Sequence, residues 1–156
     1  MNKTIYALLG TAVSFMICPD IASAAPYADF YINNKSQAVA TYNPGLSNCF
    51  AEVKPEFEEL KPGGIRKHKA LSKVGNLFFC KITYEVDYRK CTFLLTRQQT
   101  QSCSLVTGLC KITWGHPQVT SPSGGAKCSG LITSVDDINA VATPDNGRFS
   151  ATLTIN

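Results

Sequence analysis

Two histidines, His68 and His116, carry the only imidazole side chains in this chain of 156 residues. A histidine pair with a lysine can cleave RNA. One imidazole removes the proton of the 2′-hydroxyl, the other protonates the leaving oxygen, and the lysine stabilises the charged phosphorane. His68 lies between Lys67 and Lys69, whose like charges oppose its protonated form, and no known motif surrounds either histidine. We therefore keep a secreted ribonuclease as an alternative and favour histidines without a catalytic role.

No other catalytic signature is found in the sequence. The chain has no G-x-S-x-G segment for a serine nucleophile and no H-E-x-x-H segment for a zinc hydrolase. Residues 136–139 and 145–147 contain oxygen ligands, but neither stretch has the spacing of an EF-hand calcium loop. These observations favour a protein that is not an enzyme, and they predict no cofactor and no metal.

A short basic cluster is the strongest candidate for a binding site. Arg66, Lys67 and Lys69 follow closely on an acidic stretch, residues 52–59. Such a segregation of charge can form a docking surface for an anion or an acidic partner, or simply a solvated face. The net charge of +4 is only mildly basic, and no aromatic residues alternate with these cations, which argues against single-stranded nucleic acid. We predict that Arg66, Lys67 and Lys69 bind an anion or a partner, and we expect no nucleic acid.

The chain contains seven cysteines, of which Cys18 lies in an apolar N-terminal stretch. The other six are Cys49, Cys80, Cys91, Cys103, Cys110 and Cys128. An even number of cysteines in an exported chain predicts a disulfide framework, here three bridges, whose pairing the sequence leaves open. Cys103 and Cys110 flank a short segment with a glycine, which suits a local bridge across a turn. No C-x-x-C pair is present, and this disfavours a metal site.

The N-terminus has the features of a cleavable export signal. Lys3 supplies a positive charge, residues 5–17 are apolar but too short to span a membrane, and residues 22–24 read Ala-Ser-Ala. We predict a signal peptide over residues 1–24, of a length typical of bacteria, with cleavage after Ala24. Residues 25–156 then form a single domain that is secreted or periplasmic and has no transmembrane segment.

The chemistry-bearing residues must be positioned by β-strands, because apolar residues alternate over short runs with turn residues between them. The clearest strand is 77–86, after which Asp87-Tyr88 can turn the chain into a strand that begins near Cys91. The polar stretch 97–104 is predicted to separate that strand from the next, 110–114. Cysteines occupy inward faces of these strands, which predicts bridges between two sheets.

The remaining strands are predicted over residues 28–32, 37–42, 131–135, 138–142 and 149–155. Turns are predicted at residues 33–34, 43–45 and 145–147, one helical turn within 51–60, and a loop over 117–127. Short strands at regular intervals without a long helical pattern favour an all-β antiparallel β-sandwich stabilised by disulfides. A partly closed β-barrel is the alternative.

These features favour an exported, non-enzymatic β-sandwich that binds a protein or glycan partner outside the cytoplasm, as a secreted effector or host-interaction factor would. An inhibitor of an extracellular or periplasmic enzyme, acting through the 117–127 loop, is a further alternative. A surface or appendage subunit is another, with the strand 149–155 pairing at a sheet edge. The sequence leaves the oligomeric state open.

Overall fold

The structure is a computed structural model of the chain, and it describes residues 25–104, 106, 110–124, 126–136 and 147–156. The predicted signal peptide (residues 1–24), the predicted strand 138–142 and residues 145 and 146 of the predicted turn lie outside these residues. The strands are β1 Tyr27–Asn34, β2 Thr41–Tyr42, β3 Asn48–Cys49, β4 Ala51–Lys54, β5 Ile65–Ser72, β6 Leu77–Val86, β7 Arg89–Cys103, β8 Cys110–Trp114, β9 Gln118–Thr120, β10 Ser123–Gly124, β11 Cys128–Val135 and β12 Phe149–Ile155.

The strands form two sheets that pack face to face. The five-stranded sheet has the order β11-β12-β1-β5-β4, and only β1 and β12 run parallel within it. The seven-stranded sheet has the order β10-β7-β6-β2, with β3 also paired to β6, and β8 and β9 also paired to β7. The sheets do not close into a barrel, so the predicted β-sandwich is confirmed.

The core consists of the inward faces of both sheets. In β12, Phe149, Ala151, Leu153 and Ile155 are buried while the residues between them are only partly covered, which confirms the predicted face. Phe149 meets Phe78 of β6 edge to face, with ring centroids 5.2 Å apart, and this contact joins the two sheets.

A two-residue turn at Asp87 and Tyr88 connects β6 to β7 in a hairpin. Asp87 and Tyr88 have φ values of 48° and 61°, and Val86 pairs with Arg89. Two central residues with positive φ are the mark of the two-residue turn whose twist matches that of antiparallel strands. The predicted strand 77–86 and the turn after it are therefore confirmed.

Other local predictions were wrong, and the reason is pairing between distant residues. β7 does not end at Arg97 but continues to Cys103, because Gln99–Cys103 pairs with β8 as a ribbon whose polar residues face water. β1 continues through Asn34, which is buried instead of forming a turn. The side-chain Nδ2 of Asn34 lies 2.8 Å from the carbonyl oxygens of both Ala38 and Leu60. Of the predicted strand 37–42, only Thr41–Tyr42 forms a strand.

Two further segments differ from expectation. Residues 51–54 form strand β4 and not a helical turn; the short helical turn lies at Pro44–Leu46, where Asn43 Oδ1 accepts a bond from the Leu46 N–H at 3.0 Å. The predicted loop 117–127 contains β9 and β10, both paired with β7. Residues 118–120 and 123–124 therefore lie at the margin of the seven-stranded sheet and not in a loop.

Three disulfides are present, as predicted, and their pairing is Cys49–Cys80, Cys91–Cys128 and Cys103–Cys110. The local bridge Cys103–Cys110 is confirmed and joins β7 to β8. Only Cys91–Cys128 crosses between the sheets, from β7 to β11, so the expectation of bridges between sheets holds for that pair alone. The other two pairs join neighbouring strands, because their cysteines lie directly opposite each other in antiparallel ladders.

Candidate functional site

The outer surface of the five-stranded sheet brings together aromatic and charged side chains from β1 and β5. Asp29 lies opposite Lys69 in the ladder, and Tyr31 lies opposite Lys67. Since alternate residues of a strand share a face, Tyr27 belongs to the same surface. We call these five residues (Tyr27, Asp29, Tyr31, Lys67 and Lys69) the tyrosine–lysine face.

The tyrosine–lysine face is partly ordered by its own contacts. Lys67 Nζ lies 3.9 Å from Asp29 Oδ1 and 5.5 Å from the centroid of the Tyr31 ring. The Tyr27 hydroxyl donates to Asp29 Oδ1 at 3.2 Å, and burial together with the Asp29 carboxylate raises the pKa of that hydroxyl. Asp29 therefore has two internal partners. Among the described residues, Lys69 forms no ion pair, so its charge is available to a partner.

The surroundings of the tyrosine–lysine face are exposed and partly apolar. Ile65 and Leu71 of β5 point to the same side as Lys67 and are 61% and 47% exposed. On the other side of β1, Ser150 and Thr152 of β12 lie opposite Asp29 and Tyr31. Exposed aliphatic side chains beside cations are a feature of surfaces that contact other macromolecules.

The predicted basic cluster is divided by the alternation of the strand. Lys67 and Lys69 lie on the tyrosine–lysine face, whereas Arg66 points to the opposite side of β5 and forms an ion pair with Glu58. One flat partner cannot contact all three side chains on a single face of this sheet. That these residues bind an anion or a partner stays a prediction, and the geometry favours Lys67 and Lys69.

His68 lies between these lysines in sequence but points into the core. It is fully buried and packs against Phe30 and Phe57, with ring centroids 5.4 and 4.8 Å away. His68 Nδ1 lies 2.8 Å from the Pro55 carbonyl oxygen, which fits a neutral ring that donates from Nδ1. Within the described part of the chain, the buried Nε2 has no hydrogen-bond partner.

The burial of His68 predicts a pH-dependent stability. Burial and the nearby Arg66 charge lower the pKa of His68 below 6.5, and the bond to Pro55 only partly opposes this shift. Because the unfolded chain binds the proton more tightly, the stabilisation is complete above about pH 6.5 and is lost as the pH falls from there towards the folded-state pKa. We expect the free energy of unfolding to fall by at most about 1.4 kcal/mol per pH unit in this range.

Urea unfolding between neutral and mildly acidic pH measures this dependence. His68→Asn, which keeps a side-chain N–H for the Pro55 carbonyl, should flatten the decline, whereas the exposed His116→Asn should not. An equal slope in wild type and His68→Asn would show that other groups cause the decline.

His116 occupies a different part of the molecule. It is exposed in the connection between β8 and β9, and it lines a cavity of about 260 Å³ together with Arg97, Gln98 and Gln118. Because His68 is buried in the five-stranded sheet, the two imidazoles do not form an open acid–base pair, and the arrangement does not favour the ribonuclease alternative.

Arg97 is a structural residue that the sequence analysis missed. Its buried guanidinium donates to the carbonyl oxygens of Gly115 at 3.0 Å, Arg148 at 2.6 Å and Asp136 at 2.9 Å. It also lies 5.6 Å from the centroid of the buried Trp114 ring. The signal in the sequence is its position: Arg97 continues the inward series of Cys91, Phe93 and Leu95.

The described residues include no group of three or more His, Cys, Asp or Glu side chains that could hold a metal ion. Within the same residues, no helix is long and apolar enough to cross a membrane. No protein-family model matches this chain, and no curated protein matches it. What the fold defines is a class of structure, an all-β sandwich held by three disulfides.

Proposed function

We propose that this protein is an exported, non-enzymatic binding protein whose tyrosine–lysine face docks an acidic protein surface outside the cytoplasm. The observation that carries the proposal is the position of Lys69 beside Lys67 on an exposed sheet face, where Lys69 forms no ion pair with a described residue. Three disulfides are compatible with an oxidising compartment, and such compartments lie outside the cytosol, where an exported protein would be found.

A protein partner is favoured over a glycan by the neighbours of the lysines. Ile65 and Leu71 are aliphatic and exposed, and such side chains gain from packing against other apolar groups, whereas sugar rings are usually bound by aromatic stacking. Tyr31 offers one ring for such stacking, but Lys67 already lies over it. Lys67 and Lys69 would set the charge preference and the salt dependence of the encounter.

The proposal predicts that Lys67→Ala combined with Lys69→Ala weakens binding to an acidic polypeptide. We expect the affinity for immobilised poly-L-glutamate at low ionic strength to fall about tenfold, which corresponds to about 1.4 kcal/mol. A sulfated polysaccharide on a second sensor serves as the glycan probe. The melting temperature should stay nearly constant, because both lysines are exposed.

A matched control carries Lys35→Ala and Lys111→Ala, two exposed lysines outside the tyrosine–lysine face, so that the net charge changes equally. Equal weakening by both pairs would mean that net charge alone drives the binding and would contradict the proposed face. Tighter binding to the sulfated polysaccharide, also lost with Lys67 and Lys69, would replace the protein partner by a glycan. Arg66→Ala, on the opposite side of β5, should have little effect.

A further inference from the structure

Within the described residues, the edge of the five-stranded sheet at β11 lacks three devices that prevent strand pairing, namely a short strand, charged side chains and proline. β11 is eight residues long, and no described strand pairs with its outer edge. Its residues include no charged side chain and no proline, and Leu131 is 65% exposed. Natural edge strands are commonly blunted by lysine, proline or short length, since unpaired backbone groups are a template for another strand.

The opposite edge of the same sheet is protected. β4 has only four residues, carries the exposed charged side chains of Glu52 and Lys54, and is followed at once by Pro55. The two edges of one sheet therefore differ in length, in charge and in the presence of proline. Because of this contrast, β11 is the edge of this sheet that is better suited to pairing with another strand.

The hydrogen bonds to β12 show which backbone groups of β11 face outward. The Asn156 N–H donates to the Lys127 carbonyl at 2.8 Å, and these two residues lie directly opposite each other in the continued register. Because hydrogen-bonded and non-hydrogen-bonded pairs alternate in an antiparallel ladder, Gly130 and Ile132 direct their N–H and C=O groups to the open edge.

We propose that a second copy of this chain pairs with β11, edge to edge and antiparallel, about a two-fold axis at Leu131. Such an axis keeps the outer face of one sheet next to the outer face of the other, so Leu131 meets its own counterpart. Gly130 of each copy then lies opposite Ile132 of the other and exchanges backbone hydrogen bonds with it. Leu131 takes the non-hydrogen-bonded position between them, where opposed side chains lie closest.

The structure limits the paired stretch on both sides. The Cys128 carbonyl already accepts a bond from Ser121 Oγ at 3.2 Å, and a register shift between Ile132 and Ser134 marks a bulge. The pairing is therefore centred on Gly130, Leu131 and Ile132. A second copy fits this short edge because it brings no opposing charge and supplies the apolar partner that Leu131 lacks.

The test measures the association of the mature, disulfide-bonded protein by sedimentation up to about 1 mM. Wild type should dimerise, and Leu131→Lys should weaken the dimer at least tenfold, because two ammonium groups would oppose each other at the closest position. The control is Leu71→Lys, an exposed leucine on the same outer face that is flanked by β1 and β4 and should leave the dimer intact. Amide hydrogen exchange at Gly130 and Ile132 should slow as the protein concentration rises.

A protein that stays monomeric, with equally fast exchange at both amides at every concentration, would overturn the proposal and leave the edge to a different partner or to none. A dimer that Leu131→Lys does not weaken, or that both lysine variants weaken equally, would place the interface elsewhere and overturn it as well. None of these outcomes depends on the binding activity proposed for the tyrosine–lysine face.

Discussion

Replacing Arg97 by methionine should lower the free energy of unfolding by about 4 kcal/mol, since it removes three hydrogen bonds from a charged donor, and such bonds contribute about 1.5–3 kcal/mol each before the cost of burying the charge is subtracted. The guanidinium of Arg97 bonds to carbonyl oxygens of Gly115, Asp136 and Arg148, which belong to segments after β8, after β11 and before β12. Arg97 thus connects the seven-stranded sheet to the end of β11 and the start of β12 in the five-stranded sheet. Methionine fills a similar volume but offers no hydrogen-bond donor.

Urea unfolding followed by far-UV circular dichroism measures this effect. Fluorescence of Trp114 would be ambiguous, because Arg97 lies against its ring. The matched control is Arg89→Met on the same strand, whose guanidinium is exposed and forms a surface ion pair with Asp87 at 3.6 Å. It should change the free energy of unfolding by less than about 1 kcal/mol. Similar losses for the two variants would contradict the structural role assigned to Arg97.

Removal of the bridge between the sheets is the second large effect that we expect. The chain between Cys91 and Cys128 spans 37 positions, and closing a loop of that length in the unfolded state accounts for about 4 kcal/mol of stability. The double variant Cys91→Ala and Cys128→Ala should therefore be less stable by about this amount. Loss of the buried Cys91 sulfur from the core acts in the same direction.

The bridge Cys103–Cys110 provides the comparison, because it closes a loop of only seven positions. Its removal by the corresponding alanine pair should cost about 2 kcal/mol. Denaturant unfolding without reductant, on the two double variants and wild type, gives both values. If the short-loop variant lost as much stability as the long-loop variant, the contribution of Cys91–Cys128 would not come from constraining the unfolded chain.

Features that depend on residues close together in the chain were predicted from the sequence, whereas features that depend on pairing between distant residues were not. Strands β6 and β12 were predicted correctly because their alternation is a property of residues two positions apart. The turn at Asp87 and Tyr88 was also predicted, although it uses the positive-φ conformation that non-glycine residues rarely adopt. By contrast, the end of β7 was missed, because its polar residues become a strand only through pairing with β8.

The candidate site was predicted in part. The basic cluster lies on β5, but the same alternation that forms the strand sends Arg66 and Lys67 to opposite sides, so that only Lys67 and Lys69 share the proposed face. The roles of Tyr31 and Asp29 could not be predicted, since they depend on β1 lying next to β5 in a fixed register. The strand 149–155 was expected as an edge, but it lies between β1 and β11, which makes β11 the edge.

By itself, the sequence determined the all-β class, most strands of the core, the number of disulfides and the local bridge Cys103–Cys110. These depend on alternation along one strand, on turn residues and on cysteines close together in the chain. The tertiary structure alone decided which strands are neighbours, that Cys91 pairs with Cys128, and that the charge of Arg97 is buried. Each of these outcomes depends on contacts between residues far apart in the chain, and such contacts leave no periodic signal in the sequence.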